Sequence, residues 1–192
     1  MKMQNYVPYL LLTFKRLNFY WYCLLIAVFI VALMVGIIRT KRKKETLSQM
    51  IVRVGFFTYL CFIFIGTVFS RTCREPFRIS LNALSNFQDC IAGVFSAQVE
   101  TIANILLFIP FGALLLFVPD KGYSFRTRIL LTLLSGILCT VLIELIQFVS
   151  GWGLFETADI LSNTLGNLIG LILGNGIWII LKRKNDKKRM TL

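Results

Sequence analysis

The sequence predicts an all-α fold, namely a polytopic membrane helical bundle with five transmembrane helices. Apolar side chains make up 57% of the chain, and its mean hydropathy is +0.75. These side chains are gathered into five runs, and about 20 apolar residues are enough to cross the hydrocarbon core of a bilayer. The charged residues lie almost entirely between the runs. This pattern excludes a soluble domain and indicates one helical membrane domain.

The five predicted spans differ in length and in how clearly they are delimited. In chain order they are Leu17–Ile38, Val54–Ser70, Thr101–Val118, Ile129–Val149 and Ile160–Leu181. The first and the fifth each contain 22 uncharged residues, whereas the second and the third, with 17 and 18, are near the lower limit of about 17. We therefore divide the chain into an N-terminal segment with two membrane helices (1–70), a main membrane domain (71–181) and a basic cytoplasmic tail (182–192).

The basic residues predict the orientation of the bundle and its lipid partners. If the amino terminus is outside, the segments facing the cytoplasm carry 15 Lys and Arg residues and the outward-facing segments carry six. The positive-inside rule therefore predicts an N-out/C-in topology. The net charge of +12 is distributed at the ends of the spans. This placement suits anionic lipid headgroups, so we expect membrane lipids as partners and no nucleic acid.

The cysteines and the missing histidines give no support for a metal site or a cofactor. The chain has five cysteines without a CxxC pair, and it has no histidine. Zinc sites need four ligands at paired spacings, so we predict neither a metal nor a cofactor. Cys73 and Cys90 share the loop before the third span. They form either a disulfide or two unpaired thiols.

Polar residues on the last three spans predict a site at the outer end of the bundle. In the predicted orientation, the fourth span ends outside and the fifth begins there. Carboxylates and amides are costly inside a bilayer and are usually kept for function. On the fourth span, Gly136, Thr140, Glu144 and Gln147 recur at spacings of four and three and therefore share one face. The predicted outward-facing polar pocket consists of Asn104, Glu144, Gln147, Asp159, Asn163 and Asn167.

A ladder of small residues on the fifth span predicts close helix packing. It places a small side chain at every fourth position, which lets a neighbouring backbone approach closely. The polar stripe of Asp159, Asn163 and Asn167 lies one residue further round the helix. We expect the fourth span to pack on the ladder, with Glu144 and Gln147 within hydrogen-bond reach of Asp159 and Asn163, directly or through water. The members of the ladder are Ala158, Ser162, Gly166, Gly170 and Gly174.

The same polar residues also have a structural interpretation. Asp159 would interact favourably with the positive end of a helix dipole, and the amides would hold helices together. As functional groups, the carboxylates of Glu144 and Asp159 could act as general acid and base or hold a divalent cation. The amides suit a sugar, a peptide or a lipid headgroup. We find no Walker loop, nucleophile elbow or paired-histidine site.

Three motifs on these spans resemble those of the VanZ-like family of small bacterial membrane proteins. They are NILLFIPFG (Asn104–Gly112), ELIQ (Glu144–Gln147) and DILSNTLGNLIG (Asp159–Gly170). RISLNALSNF in the preceding loop is a looser match, and the resemblance covers roughly Arg71 to Leu181. One member of that family is associated with low-level resistance to the glycopeptide teicoplanin. The resemblance therefore implies an envelope role in a bacterial, Gram-positive cell membrane.

The turn before the fifth span departs from the family pattern. Family members commonly carry an Arg after the glycine that ends the fourth span, where this chain has Trp152. They also carry an acidic pair before the fifth span, of which Asp159 alone keeps its register here. If the family's Arg contacts an anionic ligand, that contact is missing. Candidate replacements are Arg71, Arg74 and Arg78.

Three functions are consistent with these observations. The first is an envelope protein whose outward pocket binds a glycopeptide or a cell-wall precursor. The second is a membrane-embedded enzyme acting on lipid headgroups or lipid-linked sugars, with Glu144 and Asp159 as acid and base. The third is a scaffold that forms a homo- or hetero-oligomer through the fifth span.

Overall fold

The computed structural model describes residues 19–42, 46–69, 78–120 and 122–190 of the chain. Five of its helices are long and apolar enough to cross a membrane, which confirms the predicted all-α bundle with five spans. A short sixth helix and a two-stranded bridge lie between them. The elements are α1 (Phe19–Lys41), α2 (Leu47–Phe64), a π-helical turn (Ile65–Phe69), β1 (Ile79–Ser80), α3 (Ser85–Ile91), α4 (Phe95–Leu115), α5 (Phe125–Ser150), β2 (Phe155–Glu156) and α6 (Thr157–Met190).

Several helices begin or end outside the predicted spans because local capping decides their ends. α2 begins at Leu47, earlier than predicted, after a capping box in which Thr46 and Gln49 exchange hydrogen bonds between side chain and backbone. α5 begins after Ser124, whose hydroxyl accepts from the Thr127 N–H at 3.1 Å. It ends at Gly151, which adopts a left-handed conformation with φ of 67°. α6 continues through the apolar run into the basic tail.

The core of the bundle lies where α2, α4 and α5 meet. The Phe56 and Phe111 rings pack with their centroids 5.4 Å apart, joining α2 to α4. Ile143 of α5 is buried in the same cluster. α1 is the least buried of the five spans and packs chiefly on α2. The remaining members of the cluster are Ile63, Val68, Phe108, Leu115 and Cys139.

The small-residue ladder of α6 packs on α4, so the expectation that it packs on the fourth span, α5, is wrong. A Cβ added at Gly166 would overlap the carbonyl oxygen of Ile105, and one added at Gly170 would overlap that of Ile109. At Gly174 the contact is looser, with an added Cβ 3.0 Å from the Ala113 carbonyl oxygen. Asn163 and Asn167, in the polar stripe beside the ladder, face α5. Adjacent stripes of α6 therefore contact two different helices. The backbone of α4 lies closer to α6 than that of α5 does.

A buried arginine, Arg128, binds the C-terminal end of α4 and the loop that follows it. The guanidinium of Arg128, in the first turn of α5, donates to the carbonyls of Leu116 at 3.3 Å, Pro119 at 3.0 Å and Asp120. It also lies over the Trp178 ring, 4.9 Å from its centroid. Leu116 is the C-cap residue of α4, where helix carbonyls lack intrahelical partners, and Pro119 and Asp120 lie in the loop that follows. Arg128 therefore caps α4, a role that its place among the flanking charges did not reveal.

An ion pair fastens α2 to the loop between α4 and α5. Arg53 donates to the Asp120 carboxylate at 2.6 Å and to the Val118 carbonyl at 3.1 Å. The hydrogen bond from this guanidinium, followed by its charge, holds the pKa of Asp120 below its ordinary value. A carboxylate whose pKa is lowered on folding stabilises the fold above its unfolded pKa of about 3.9. That contribution is lost as the pH falls through the lower, folded value.

Candidate functional site: a polar cluster at one end of the bundle

A two-stranded bridge covers the end of the bundle where α5 and α6 meet. β1 and β2 are parallel, with Ile79 opposite Phe155 and Ser80 opposite Glu156. The Thr157 hydroxyl also donates to the Ser80 carbonyl at 3.2 Å. The bridge fastens the loop before α4 to the α5–α6 turn. The predicted loop and the predicted polar residues therefore lie at the same end of the molecule.

Glu144 and Gln147 project from the predicted polar face of α5 and are buried. The Glu144 side chain is only 1% exposed, and its Oε2 accepts from the Glu156 N–H of β2 at 2.9 Å. The Gln147 amide donates to the Thr67 carbonyl at 3.0 Å. Thr67 lies in the π-helical turn, a local widening that frequently marks functional sites. Gly136 and Thr140 are buried as well, so the predicted face of α5 is confirmed.

Asp159 contacts the short helix α3. Its Oδ1 accepts from the Asn86 amide at 3.0 Å, and both side chains are 9% exposed. Asp159 also lies in the first turn of α6, where the helix dipole favours a negative charge. The contact thus joins the loop to α6 next to the bridge. RISLNALSNF includes Asn86, but sequence reasoning assigned this asparagine no role.

The two asparagines further along α6 are packed between helices. The Asn163 amide donates to the Thr140 hydroxyl at 2.8 Å, and the Asn167 amide donates to the Thr132 carbonyl at 3.1 Å. Asn167 fits against Gly112 and Gly136, at each of which a Cβ would overlap it. Neither amide oxygen has a hydrogen-bond partner within the described part of the chain. Both residues join α5 to α6 and reach towards the bundle centre.

Five of the six predicted pocket residues are buried, but they are spread along the bundle, because Asn167 lies level with Gly136, about 16 Å along α5 from Gln147. Their hydrogen bonds described above run to other partners rather than directly between the Glu144/Gln147 and Asp159/Asn163 groups. The sixth, Asn104, is half-buried on α4 and makes no side-chain hydrogen bond to the described residues. Its neighbour Ile105 packs on the ladder. Asn104 therefore lies level with the cluster.

The turn and the loop contain the other residues that the sequence singled out. Trp152, which stands where the family has an arginine, packs against the apolar core. The side chain of Arg78 is exposed beside β1. The Cys90 thiol lies 3.4 Å from the Thr101 hydroxyl. The proposed alternatives Arg71 and Arg74, and the proposed disulfide partner Cys73, lie outside the described residues.

The contact between Asn86 and Asp159 predicts a measurable coupling between the loop and α6. We expect the Asn86→Ala and Asp159→Ala substitutions to be coupled by about 1.5–3 kcal/mol, because the hydrogen bond joins an amide to a charged group. A double-mutant cycle on the free energy of unfolding in detergent micelles measures this coupling. Additive effects of the two substitutions would show that the contact does not stabilise the protein.

The cluster offers hydrogen-bond acceptors and donors at the end of an otherwise apolar bundle. The carboxylates of Glu144 and Asp159 and the amide of Gln147 lie beneath the bridge. The amides of Asn163 and Asn167 lie further from it. No group of three or more His, Cys, Asp or Glu residues suited to a metal ion occurs among the described residues. This arrangement suits a polar, uncharged or cationic portion of a ligand whose remainder lies in the membrane.

Comparisons with known proteins agree with the motifs and extend the match. The family model described as VanZ/LLP1 matches residues 19–181, including the first two spans. Protein VanZ of Enterococcus faecium is 36% identical over 74 residues, which are 38% of this chain and 43% of that relative. No solved structure matches. The family match covers most of the chain, and the protein therefore belongs to the VanZ/LLP1 family.

Proposed function

We propose that this protein acts in the cell envelope of a Gram-positive bacterium and lowers susceptibility to glycopeptides of the teicoplanin type. In this proposal the polar cluster faces outward and binds part of a glycopeptide or of a lipid-linked cell-wall precursor. The similarity to Protein VanZ supports the phenotype, and the predicted N-out/C-in orientation supports the outward placement.

The observation that carries the proposal is the burial of Glu144 between spans. An ionisable side chain costs about 2.5–3.5 kcal/mol at the centre of a membrane helix on insertion scales, and Glu144, six residues before the end of α5, is still buried rather than turned towards water. Helix pairing does not require that cost here, because the ladder joins α6 to α4 and the Asn163 amide already joins α6 to α5. A carboxylate retained under these conditions is best explained by ligand recognition.

The residues that cover the polar cluster support entry of a ligand from the membrane surface. Glu156 and Thr157, which adjoin the bridge, are half-buried, whereas Glu144 lies deeper. The bridge, which has only two residue pairs, lies over the carboxylates. A sugar or peptide group that enters at the bridge would meet Asp159 and Asn86 first and Glu144 second. Its lipid or acyl part would remain among the surrounding apolar helices.

A membrane-embedded enzyme is the second candidate, and the placement of the two carboxylates favours it. Glu144 and Asp159 come from consecutive helices and lie at the same end of the bundle. Such a pair could act as general acid and base on a lipid headgroup or a lipid-linked sugar. The scaffold hypothesis is less well supported because α4 already covers the ladder. An oligomer through α6 would have to use another face of that helix.

Teicoplanin susceptibility tests the proposal directly. We expect the wild-type protein to protect a susceptible Gram-positive host that lacks its own homologues. Glu144→Gln and Asp159→Asn should each return growth inhibition to the level of the empty vector, because each removes a charge while keeping the shape of the side chain. Inhibition by teicoplanin and by vancomycin should be measured at matched membrane levels of each variant.

Asp89→Asn provides the matched control. Asp89 is an exposed acid on α3 and lies outside the polar cluster, so its substitution should preserve protection. Retained protection in both Glu144→Gln and Asp159→Asn would assign the carboxylates a structural role. A wild-type protein that gives no protection would contradict the phenotype and leave the enzyme hypothesis, which turnover of lipid-linked substrates by purified protein would test.

A further inference from the structure

An apolar groove opens beside α1, away from the polar cluster. It has a volume of about 830 Å³ and lies between α1, α2 and the loop that joins α4 to α5. Sites that hold small molecules usually measure about 300–1,000 Å³. Val31 and Val35 of α1 and Val54 and Phe57 of α2 are among its walls. The groove is therefore large enough for lipid chains, and its walls are apolar, as such chains require.

One end of this groove carries a concentration of positive charge. Among the described residues, Arg39 and Arg53 line it, and the Asp120 carboxylate, which is paired with Arg53, is the one acidic group in the lining. The phenol of Tyr123 is half exposed at the same end and can donate a hydrogen bond. The excess of cations over carboxylates is complementary to a phosphate.

The position of the groove along α1 matches one leaflet of a membrane. Its wall on α1 runs from Ala27 to Arg39, which is a rise of about 18 Å along a helix. Half of a hydrocarbon core is about 15 Å thick. Arg39 therefore lies at headgroup level when the apolar wall lies among the acyl chains. The predicted orientation places this leaflet on the cytoplasmic side, whose surface carries the anionic lipids.

We propose that this groove binds one anionic phospholipid, with its acyl chains against α1 and α2 and its phosphate between Arg39 and Arg53. The Arg53–Asp120 pair fixes one guanidinium at the rim, and Arg39 on the neighbouring helix supplies the second positive charge. The site is separate from the polar cluster, which lies at the other end of the bundle. Its occupancy does not depend on the proposed function.

Native mass spectrometry of the full chain tests this site. The protein is placed in nanodiscs that contain equal amounts of phosphatidylglycerol and phosphatidylcholine, and the lipid retained after release is identified. We expect one phosphatidylglycerol molecule per chain, retained in preference to phosphatidylcholine. Arg39→Gln should lower the ratio of the two retained lipids about fivefold, which is the effect of one basic residue near an anionic surface. Equal retention by the wild type would overturn the proposal.

Two matched pairs of variants separate this groove from the general charge of the surface. Arg126 is exposed at the same end of the bundle but does not line the groove, so Arg126→Gln should leave the ratio unchanged. Ala32→Trp fills the groove, whereas Met34→Trp adds the same bulk to an exposed position of α1. Ala32→Trp should abolish retention of phosphatidylglycerol, whereas Met34→Trp should not. An equal loss of lipid retention in both members of either pair would overturn the proposal. A dimer that retains no lipid would overturn it as well.

Discussion

Gly170→Leu should leave little folded protein in the membrane. The smallest side chain at this position would already overlap the Ile109 carbonyl, and the Ala113 amide nitrogen would lie 2.9 Å from the added Cβ. Both contacts are with the backbone of α4, which cannot move aside as a flexible side chain would. Overpacking of a rigid site costs about 1–3 kcal/mol and occasionally more. We expect a loss at the upper end of that range or beyond it, measured as the free energy of unfolding in detergent micelles.

Gly176 provides a control within the same helix. Nothing lies within 4 Å of a Cβ built at this position, which is also exposed. Gly176→Leu should therefore fold at least as well as the wild type, since leucine favours a helix more than glycine does. Equal loss of folded protein in the two variants would show that α6 tolerates no leucine in this region. The close contact with α4 would then not be the cause.

Arg128→Leu should have the second large effect on stability. The substitution removes a buried guanidinium that serves the carbonyls of Leu116, Pro119 and Asp120. Hydrogen bonds from charged donors contribute about 1.5–3 kcal/mol each, and a buried acceptor left without its donor adds a desolvation cost. We expect the free energy of unfolding to fall by about 3 kcal/mol or more. Thermal unfolding of the purified protein in detergent, followed by circular dichroism, reports the loss.

Arg126, two residues earlier in the first turn of α5, is the control for the loss of charge. Its side chain is exposed, whereas that of Arg128 is 3% exposed. Arg126→Leu removes the same charge from the same end of the bundle and should change stability little. A similar loss of stability in both variants would assign the effect to the loss of a positive charge at this end of the bundle. Capping of α4 would then be excluded as the main role of Arg128.

Hydropathy predicted the number and order of the spans because lipid-facing helices need long apolar runs regardless of their neighbours. Their ends were less predictable. α2 begins within a charged segment because Thr46 and Gln49 form a capping box. α5 includes Arg128 because the end of α4 shields that guanidinium. In both cases a specific hydrogen bond overrides the average polarity of the segment.

The candidate site was predictable as a set of residues but not as a set of contacts. The periodicity of Glu144 and Gln147 identified the polar face of α5, since a helix repeats regularly. The ladder on α6 indicated a close approach, but small residues accept any backbone, so the sequence could not distinguish α4 from α5. Asn86 was missed because one asparagine in a loop has no periodic signal. Its role depends on where the loop folds back.

The parallel bridge between β1 and β2 also constrains the order in which the protein is made. β1 is synthesised before α4 and α5, yet it pairs with β2, which follows both of them. Asn86 must likewise await Asp159. Glu144 is also synthesised before Glu156, from whose N–H it accepts a hydrogen bond. The polar cluster is complete only after α6 has been inserted. Assembly of the site therefore depends on insertion of the last span.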